Sequence, residues 1–491
     1  MKRISFCGFF IAALLCVPVA RCQQTPSDQN GTAPATPDQP LPPTTSSSSG
    51  NSNGSGAAPA GRSIFGSGGD SPDGTDQNAV LPLSGAQEVT SALGARPRNL
   101  FDASALLSAS ADSGVINTDG TPTWGGSEVL GGQVTYDHSW GPNSFSLGYS
   151  GGGILYQPSA LFPDAMYHSL SVSQVVGWKR AKLTLIDKFS YSPNSLFGGA
   201  GIGGPGLLTE TSSAASTLLN PTFSAGTSIL TGQTRLVSNS AVAEGQFNLA
   251  PRTSLTVTGN YQLLDYTEGG FISSHDYVLG GGYNHTFTTK DTLAVTYTFS
   301  EDLFTGSLEY LDFNLISAAY SHQLTDRLVF QIAAGPDFIE YHNYVPSLAN
   351  AVTWELNTGV NYHLRRTSFA AMYTHGTNSG SGVFSGSISQ TAGGSVSHQF
   401  SRFLVGAVSA GYSINSNLAM TSGVENQFRN WYLAANAGRQ LGRYSHISLN
   451  YGVEQQPYGG VCPVASCGTN RAVQTIGVAV DIHVRPIGSG E

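Results

Sequence analysis

The chain has 491 residues, of which only 11% are charged, with 60 Gly and 4 Met, and its formal net charge is −9. This composition is unlike that of a helical protein or a typical cytosolic enzyme. The mild negative charge offers no basic stripe, so we expect no nucleic-acid partner.

The first segment has the composition of a secretory signal peptide. Lys2 and Arg3 precede the apolar run ISFCGFFIAALLCVPVA, and small residues follow it. A membrane anchor is the alternative, but the run is short for one and Pro18 interrupts its end. We therefore interpret residues 1–22 as a signal peptide.

Residues 23–98 form a low-complexity tail that includes PATPDQPLPPTTSSSSGNSNGSGAAPAG. Such a segment buries too little apolar surface to offset its ordering entropy, so we expect it to be mostly disordered. The stretch LPLSGAQEVTSALG, residues 81–94, is more apolar. It predicts either a short helix or a segment that docks on the rest of the protein.

Residues 99–491 alternate apolar and small polar side chains with a period of two. In KDTLAVTYTFSED, residues 290–302, Leu293, Val295 and Tyr297 alternate with small residues such as Thr296. Because successive side chains of a strand point to opposite faces, this segment has one apolar and one polar face. About 18 such segments occur, and no run of about 18 apolar residues predicts a membrane helix.

The connections between these segments alternate in length. Short turns such as SWGPN, WKRA, TTK and LRR alternate with long connectors such as 193–232. Lys and Arg gather at several short turns, as at Lys290 and Arg365, whereas other long connectors lean acidic, with Asp112, Asp302 and Asp337. A soluble sandwich would rarely run one meander through so many strands, because its open edges must be covered. The pattern predicts an all-β fold, a transmembrane antiparallel up-and-down β-barrel of about 18 strands, with 16–18 plausible.

This texture over roughly residues 100–484 resembles the bacterial outer-membrane β-barrel proteins in the broad, porin-like sense. The resemblance implies outer-membrane lipid and the barrel-insertion machinery as partners. It also implies short turns in the periplasm, which would place the tail and the C-terminus there. The last strand is followed by RPIGSGE and not by a terminal aromatic residue, so the insertion signal would be internal.

Residues with catalytic spacing are lacking in the sequence, which contains no HExxH or GxSxG motif. We therefore expect no enzyme activity, no cofactor and no metal site. Cys462 and Cys467, in a Gly/Pro-rich stretch of an exported chain, predict a local disulfide.

Strand parity predicts which charged residues face the lumen. The seven candidates are Asp137, Lys188, Glu244, Glu355, Glu454, Asp481 and His483. Their signs are mixed, so they predict no ion preference. The connector 193–232, whose charged residue is Glu210, either folds inward as a constriction or stays outside as an external loop.

The sequence favours a passive porin-like channel for small solutes, or for an extended polymer such as an exported polysaccharide. The alternative is a structural or surface-display barrel without an open pore, with adhesive loops and a tail that tethers it to the cell wall. A third interpretation is a secreted soluble β-protein.

Overall fold

The computed structural model describes residues 84, 100–116, 122–157, 164–193, 235–267, 271–344, 347–378, 384–418, 427–442, 444–456, 458–459, 472–484 and 487–488. The signal peptide, nearly all of the tail, the connector with Glu210 and both Cys462 and Cys467 lie outside these residues. The expectations for them therefore stay predictions.

Long β-strands make up almost all of the described chain. They are β1 Leu100–Ile116, β2 Pro122–Trp140, β3 Asn143–Gln157, β4 Ala165–Gly177, β5 Ala181–Pro193, β6 Arg235–Ala250, β7 Thr253–Tyr266, β8 Ser274–Thr286, β9 Asp291–Phe304, β10 Tyr310–Thr325, β11 Leu328–His342, β12 Ala351–His363, β13 Thr367–Asn378, β14 Ser387–Ser401, β15 Leu404–Asn417, β16 Gln427–Gln440, β17 Ser445–Gln455, β18 Tyr458–Gly459, β19 Val473–His483 and β20 Ile487–Gly488. Within the described part, no helix is long and apolar enough to cross a membrane.

The strands close into one antiparallel barrel. Each of β1 to β16 pairs with the next strand, β17 pairs with β19, and β19 returns to β1. The two-residue strands β18 and β20 only extend the pairing of β16 and β1. The barrel wall therefore has 18 long strands and no open edge, as predicted, which satisfies the backbone hydrogen bonds without water.

The apolar face of each strand points out of the barrel. In β9, Val295 and Tyr297 are 49% and 50% exposed, whereas Ala294 between strands β8 and β10 is 1% exposed. Ala294 lies opposite Ala319 of β10, so the two face the same side. An apolar outer face on a closed barrel is the arrangement that a lipid environment requires.

The two rims of the barrel differ in their connections. At the turn rim, where tight turns join the strands, β2 and β3 are linked by Gly141 and Pro142, and Gly141 has a φ of 56°. Lys and Arg residues occupy several of these turns, as at Lys290 and Arg327. At the opposite connector rim the connections are mostly longer, although those between β1 and β2 and between β9 and β10 span only five residues each. The predicted alternation of connection lengths is therefore weak at these two connectors and holds at the others.

A charged side chain sits on the outer face of β5 without a bulge. The pairing of β5 with β6 runs unbroken from Ala181 to Pro193, so Asp187 keeps its outward parity. Asn239 Nδ2 of β6 donates a hydrogen bond to Asp187 Oδ1 at 2.7 Å. The structure therefore places this carboxylate on the outer face, where the side-chain amide of Asn239 satisfies it.

Gly335 of β11 is required by the close approach of β10. A Cβ at this position would collide with the backbone oxygen of Ile316, whereas one at Gly359 would meet only an oxygen at 3.9 Å. We expect Gly335→Val to destabilise the barrel by about 1–3 kcal/mol, because an overpacked wall must shift its backbone. The measurement is the temperature at which the folded band disappears on heated gels, with Gly359→Ala as the control. An unchanged temperature for Gly335→Val would contradict this account.

Candidate functional site

The inner wall is lined mostly by small polar side chains. On β14 and β15 the inward positions alternate with outward apolar ones, and the inward set is Ser387, Ser389, Thr391, Gly393, Ser395, Ser409, Gly411, Ser413 and Asn415. Small polar residues leave free volume inside a barrel that large aliphatic residues would fill. The inner wall therefore forms a polar surface along the barrel axis.

The pairing register places all seven predicted lumen residues on the inner face. They are Asp137, Lys188, Glu244, Glu355, Glu454, Asp481 and His483. Two of them come together at the turn rim, where His483 Nε2 lies 2.7 Å from Asp481 Oδ2. The same ring's Nδ1 lies 3.5 Å from Asp102 Oδ2. The other five lie on five different strands, so they line the wall without forming one cluster.

Five inner-face carboxylates were missed from the sequence. Asp112, Asp302 and Asp337 were assigned to long connectors, and Asp102 and Asp276 were not considered. The strands extend further than expected, so each of these residues continues the inward parity of its strand. Counting the alternation onward from Ala294 to Asp302 would have identified one of them from sequence.

The charge of the described inner face is strongly acidic. It carries ten carboxylates, those of Asp102, Asp112, Asp137, Glu244, Asp276, Asp302, Asp337, Glu355, Glu454 and Asp481, and two lysines, Lys182 and Lys188. Both lysines lie on β5. The sequence predicted lumen residues of both charge signs. On the described inner face, negatively charged residues outnumber positively charged ones, so that prediction is incomplete for this part of the chain.

An apolar cluster fills part of the interior at the connector rim. Its members are Phe304, Leu311, Phe313, Ile339 and Tyr344, with Ile272, Tyr341, Leu348, Ala351 and Leu418 packed against them. We call this set the apolar mouth cluster. The first four share the inward parity of Ala294 and Ala319, whereas Tyr344, Leu348, Ile272 and Leu418 come from connectors. Connector residues therefore fold inward and narrow this end of the barrel.

Backbone conformation makes this inward fold possible. Asn343, the first residue after β11, has a φ of 62°, and its Nδ2 donates to the Leu308 oxygen at 2.9 Å. Tyr344 follows and is buried, and this burial, aided by nearby negative charge, raises the pKa of its hydroxyl. Gly386 has a φ of 89°, and a Cβ there would meet Leu311 Cδ1 at 2.6 Å. Both left-handed positions bring connectors against the inner wall.

One residue of the tail docks inside the barrel near the turn rim. The Ser84 nitrogen donates to Asn284 Oδ1 at 3.1 Å, and Asn284 Nδ2 donates to Ser84 Oγ at 2.6 Å. Ser84 Oγ also contacts Thr256 Oγ1. Thr256 and Asn284 face inward from β7 and β8 and are buried, and Gly282 beside them has no side chain where Ser84 sits. At this residue the tail is anchored on the wall.

Three side chains that could hold a metal lie together on the outside of the barrel. His342 Nε2 is 3.0 Å from Asp312 Oδ2 and 3.9 Å from Glu340 Oε2, and the ring stacks on Tyr310. Their parity is opposite to that of the inner wall. The group lies on the outer face, apart from the lumen.

Solved structures of outer-membrane proteins are similar to this chain at low sequence identity. No protein-family model and no curated protein matches the chain. Among solved structures, the outer membrane protein OpdK from Pseudomonas aeruginosa is 10% identical, with 79% of this chain and 99% of that chain covered and a TM-score of 0.40. OccAB4 from Acinetobacter baumannii is 9% identical, with 79% of this chain and 99% of that chain covered and a TM-score of 0.41. The unliganded ferric citrate transporter FecA is 11% identical over 78% of this chain and 64% of that chain, with a TM-score of 0.42. At this level of identity, nothing about their solutes or mechanisms extends to this chain.

Proposed function

We propose that this protein is a passive channel for small hydrophilic solutes in the bacterial outer membrane. The observation that carries the proposal is a closed wall of 18 long strands whose outer face is apolar and whose inner face is polar. Barrels of about 16–18 strands are wide enough to enclose an aqueous passage, which narrower barrels fill with side chains. Solutes would diffuse through the polar lumen, limited by size and charge.

The difference between the two rims supports one orientation in the membrane, with the turn rim on the periplasmic side. Short turns on the periplasmic side and long connectors outside would put both chain termini in the periplasm, since the first and last long strands start and end at the turn rim. The basic turns would then face the periplasm. Labelling of a single cysteine at Gly306 in intact cells, compared with one at Asp326, tests this orientation. Labelling at 326 and not at 306 would reverse it.

The apolar mouth cluster is the described constriction of this channel. It lies at one end of the lumen and contains connector residues, so it restricts entry without interrupting the wall. The predicted constriction by residues 193–232 concerns residues outside the described part and stands as a separate proposal. Both constrictions would limit the pore to small solutes, which disfavours an extended polysaccharide.

The same cluster supports a second candidate, a closed surface-display barrel. If its side chains seal the mouth completely, the protein has no open pore, and its long connectors would act as adhesive loops. The two functions predict opposite electrical behaviour.

Single-channel recording separates the two functions. Refolded protein, shown by heat modification to be inserted, would give discrete conductance steps in a planar bilayer if it is a channel. The absence of steps from inserted protein would overturn the channel and favour the display barrel. Fractionation of cells tests the location itself, since a protein recovered in the periplasm or the medium would contradict an outer-membrane barrel.

A further inference from the structure

Three pairs of adjacent strands repeat one arrangement of side chains at the turn rim. A basic residue precedes the first residue of one strand, and that first residue pairs with a histidine near the end of the next strand. The three sets, which we call the rim triads, are Arg252, Thr253 and His285; Lys290, Asp291 and His322; and Arg366, Thr367 and His398. Exposed side chains two residues before each histidine place the triads on the outer face, at Tyr283, Tyr320 and Val396.

The same backbone contact holds each rim triad together. The residue after the histidine donates its N–H to the carbonyl oxygen of the basic residue. The three bonds run from Thr286 to Arg252 at 2.9 Å, from Gln323 to Lys290 at 2.9 Å, and from Gln399 to Arg366 at 2.8 Å. The basic residue and the histidine therefore lie next to each other on neighbouring strands in every copy.

In two of the rim triads a threonine orients the imidazole ring. His285 Nδ1 lies 3.0 Å from Thr253 Oγ1, and His398 Nδ1 lies 2.8 Å from Thr367 Oγ1. When the hydroxyl donates to Nδ1, the ring carries its proton on Nε2, and Nε2 can donate to another group. These two histidines are therefore arranged as hydrogen-bond donors on the outer face of the barrel.

The third rim triad has an acidic partner instead. His322 Nδ1 lies 2.6 Å from Asp291 Oδ1, and the Tyr320 hydroxyl donates to the same oxygen at 2.7 Å. The carboxylate offsets the positive charge of Lys290 beside it, so this triad attracts an anion less than the other two. We therefore expect any anion to bind at the His285 and His398 triads.

Apolar rings flank these two histidines on the outer face. The ring of His285 lies 4.7 Å from that of Phe287, and the ring of His398 lies 4.8 Å from that of Phe400. Both phenylalanine side chains are exposed. Arg252 Nη1 donates to the Phe287 oxygen at 3.2 Å, which brings its guanidinium to the same strand end. Aromatic side chains on the outer face of a barrel gather where the apolar core of the membrane meets the lipid headgroups.

We propose that the His285 and His398 triads bind the phosphate groups of anionic phospholipids in the leaflet at the turn rim. The imidazole N–H and the arginine of each triad would donate to phosphate oxygens, and the acyl chains would lie along the apolar outer wall. The occupant is a lipid and not a soluble anion, because exposed apolar side chains adjoin each triad. Lipid binding here is independent of the proposed channel, since the lumen takes no part in it.

The test is lipid retention by the full-length protein refolded in detergent micelles. Phosphatidylglycerol and phosphatidylcholine, which share a phosphate but differ in net charge, are added in equal amounts, and native mass spectrometry counts the bound lipids. We expect the wild type to retain phosphatidylglycerol at least about fivefold better, the effect of about one basic side chain at an anionic surface. The preference should weaken at high salt, because exposed charges are screened.

Matched variants locate the effect. His285→Phe with His398→Phe keeps a ring at both positions but removes both imidazole donors, and should lower the preference about two- to fivefold, as for an exposed charge pair. The control is His363→Phe, since His363 lies near the same rim with inward parity. Arg252→Gln with Arg366→Gln is a second test variant with the same expected loss, because both residues lie in turns outside the strands.

Each outcome decides for or against the lipid site. Equal retention of the two lipids by the wild type would overturn it. A preference that survives both double variants, or that falls equally in His363→Phe, would overturn the assignment to these triads. If the variants give no heat-modifiable barrel, the wild type is heated in vesicles of either lipid. Phosphatidylglycerol should then raise the temperature at which the folded band disappears above its value in phosphatidylcholine, since binding to the folded state stabilises it, and an equal or lower temperature would refute the site.

Discussion

Replacing Tyr344 and Leu348 with Gly is expected to raise the single-channel conductance about two- to threefold, because it removes connector side chains that narrow the mouth of a barrel of porin width. Both residues belong to the apolar mouth cluster, and both come from the connector between β11 and β12 rather than from the wall. Truncating large buried side chains usually costs about 2–5 kcal/mol. The wall, held by continuous strand pairing, should keep the barrel folded despite that loss.

The matched control for this prediction is Leu308→Gly. Leu308 lies in the connector between β9 and β10 at the same rim, but its side chain is 86% exposed. We expect its replacement to leave conductance unchanged. Equal conductance in wild type and in the Tyr344/Leu348 variant, with both inserted, would show that the apolar mouth cluster does not limit the passage.

The conformation of Asn343 offers an independent check on the same constriction. Asn tolerates its φ of 62°, Gly adopts it freely, and a β-branched residue does not. Asn343→Gly should therefore preserve the wild-type conductance, although it removes the hydrogen bond to Leu308. Asn343→Val should displace Tyr344 and increase both the conductance and its fluctuations. The reverse order of effects would contradict the inward fold of this connector.

Displacing Ser84 from the wall is expected to increase the current in the same way, since Ser84 is held inside the barrel near the turn rim. Gly282→Val would place a side chain where Ser84 packs against β8. Gly281→Val is the control, because Gly281 faces outward and a Cβ there would meet only an oxygen at 3.9 Å. We expect a higher conductance for the first variant and a wild-type value for the second.

A disulfide measures the docking of Ser84 directly. The double variant Ser84→Cys with Asn284→Cys should form a cross-link, since the two side chains are within hydrogen-bonding distance in the structure. The cross-link would appear as a mobility shift on non-reducing gels and should be lost when Gly282→Val is added. No cross-link in the double variant under oxidising conditions would refute the docking.

The faces of the strands could be predicted from the sequence because the period of two is a local property of an extended chain. Segments such as 290–302 alternate without interruption, so their parity survives small errors in where a strand begins. The same regularity led to the prediction that Glu244 and Glu355 face the lumen. Asp187 is a charged residue on an otherwise apolar face. Its hydrogen-bond partner Asn239 lies on the adjacent strand β6, so only the pairing of β5 with β6 identifies it.

The sequence by itself determined a barrel of about 18 long strands, the apolar outer face and the basic turn rim, because these depend on neighbouring residues and on turn chemistry. Only the tertiary structure decided that the carboxylates of Asp276, Asp302 and Asp337 share one mouth, and that connector side chains close over it. It also decided that Ser84 meets Asn284, 200 residues away in the sequence. These contacts join segments far apart in the chain. They therefore depend on the curvature and closure of the whole wall, which no local pattern encodes.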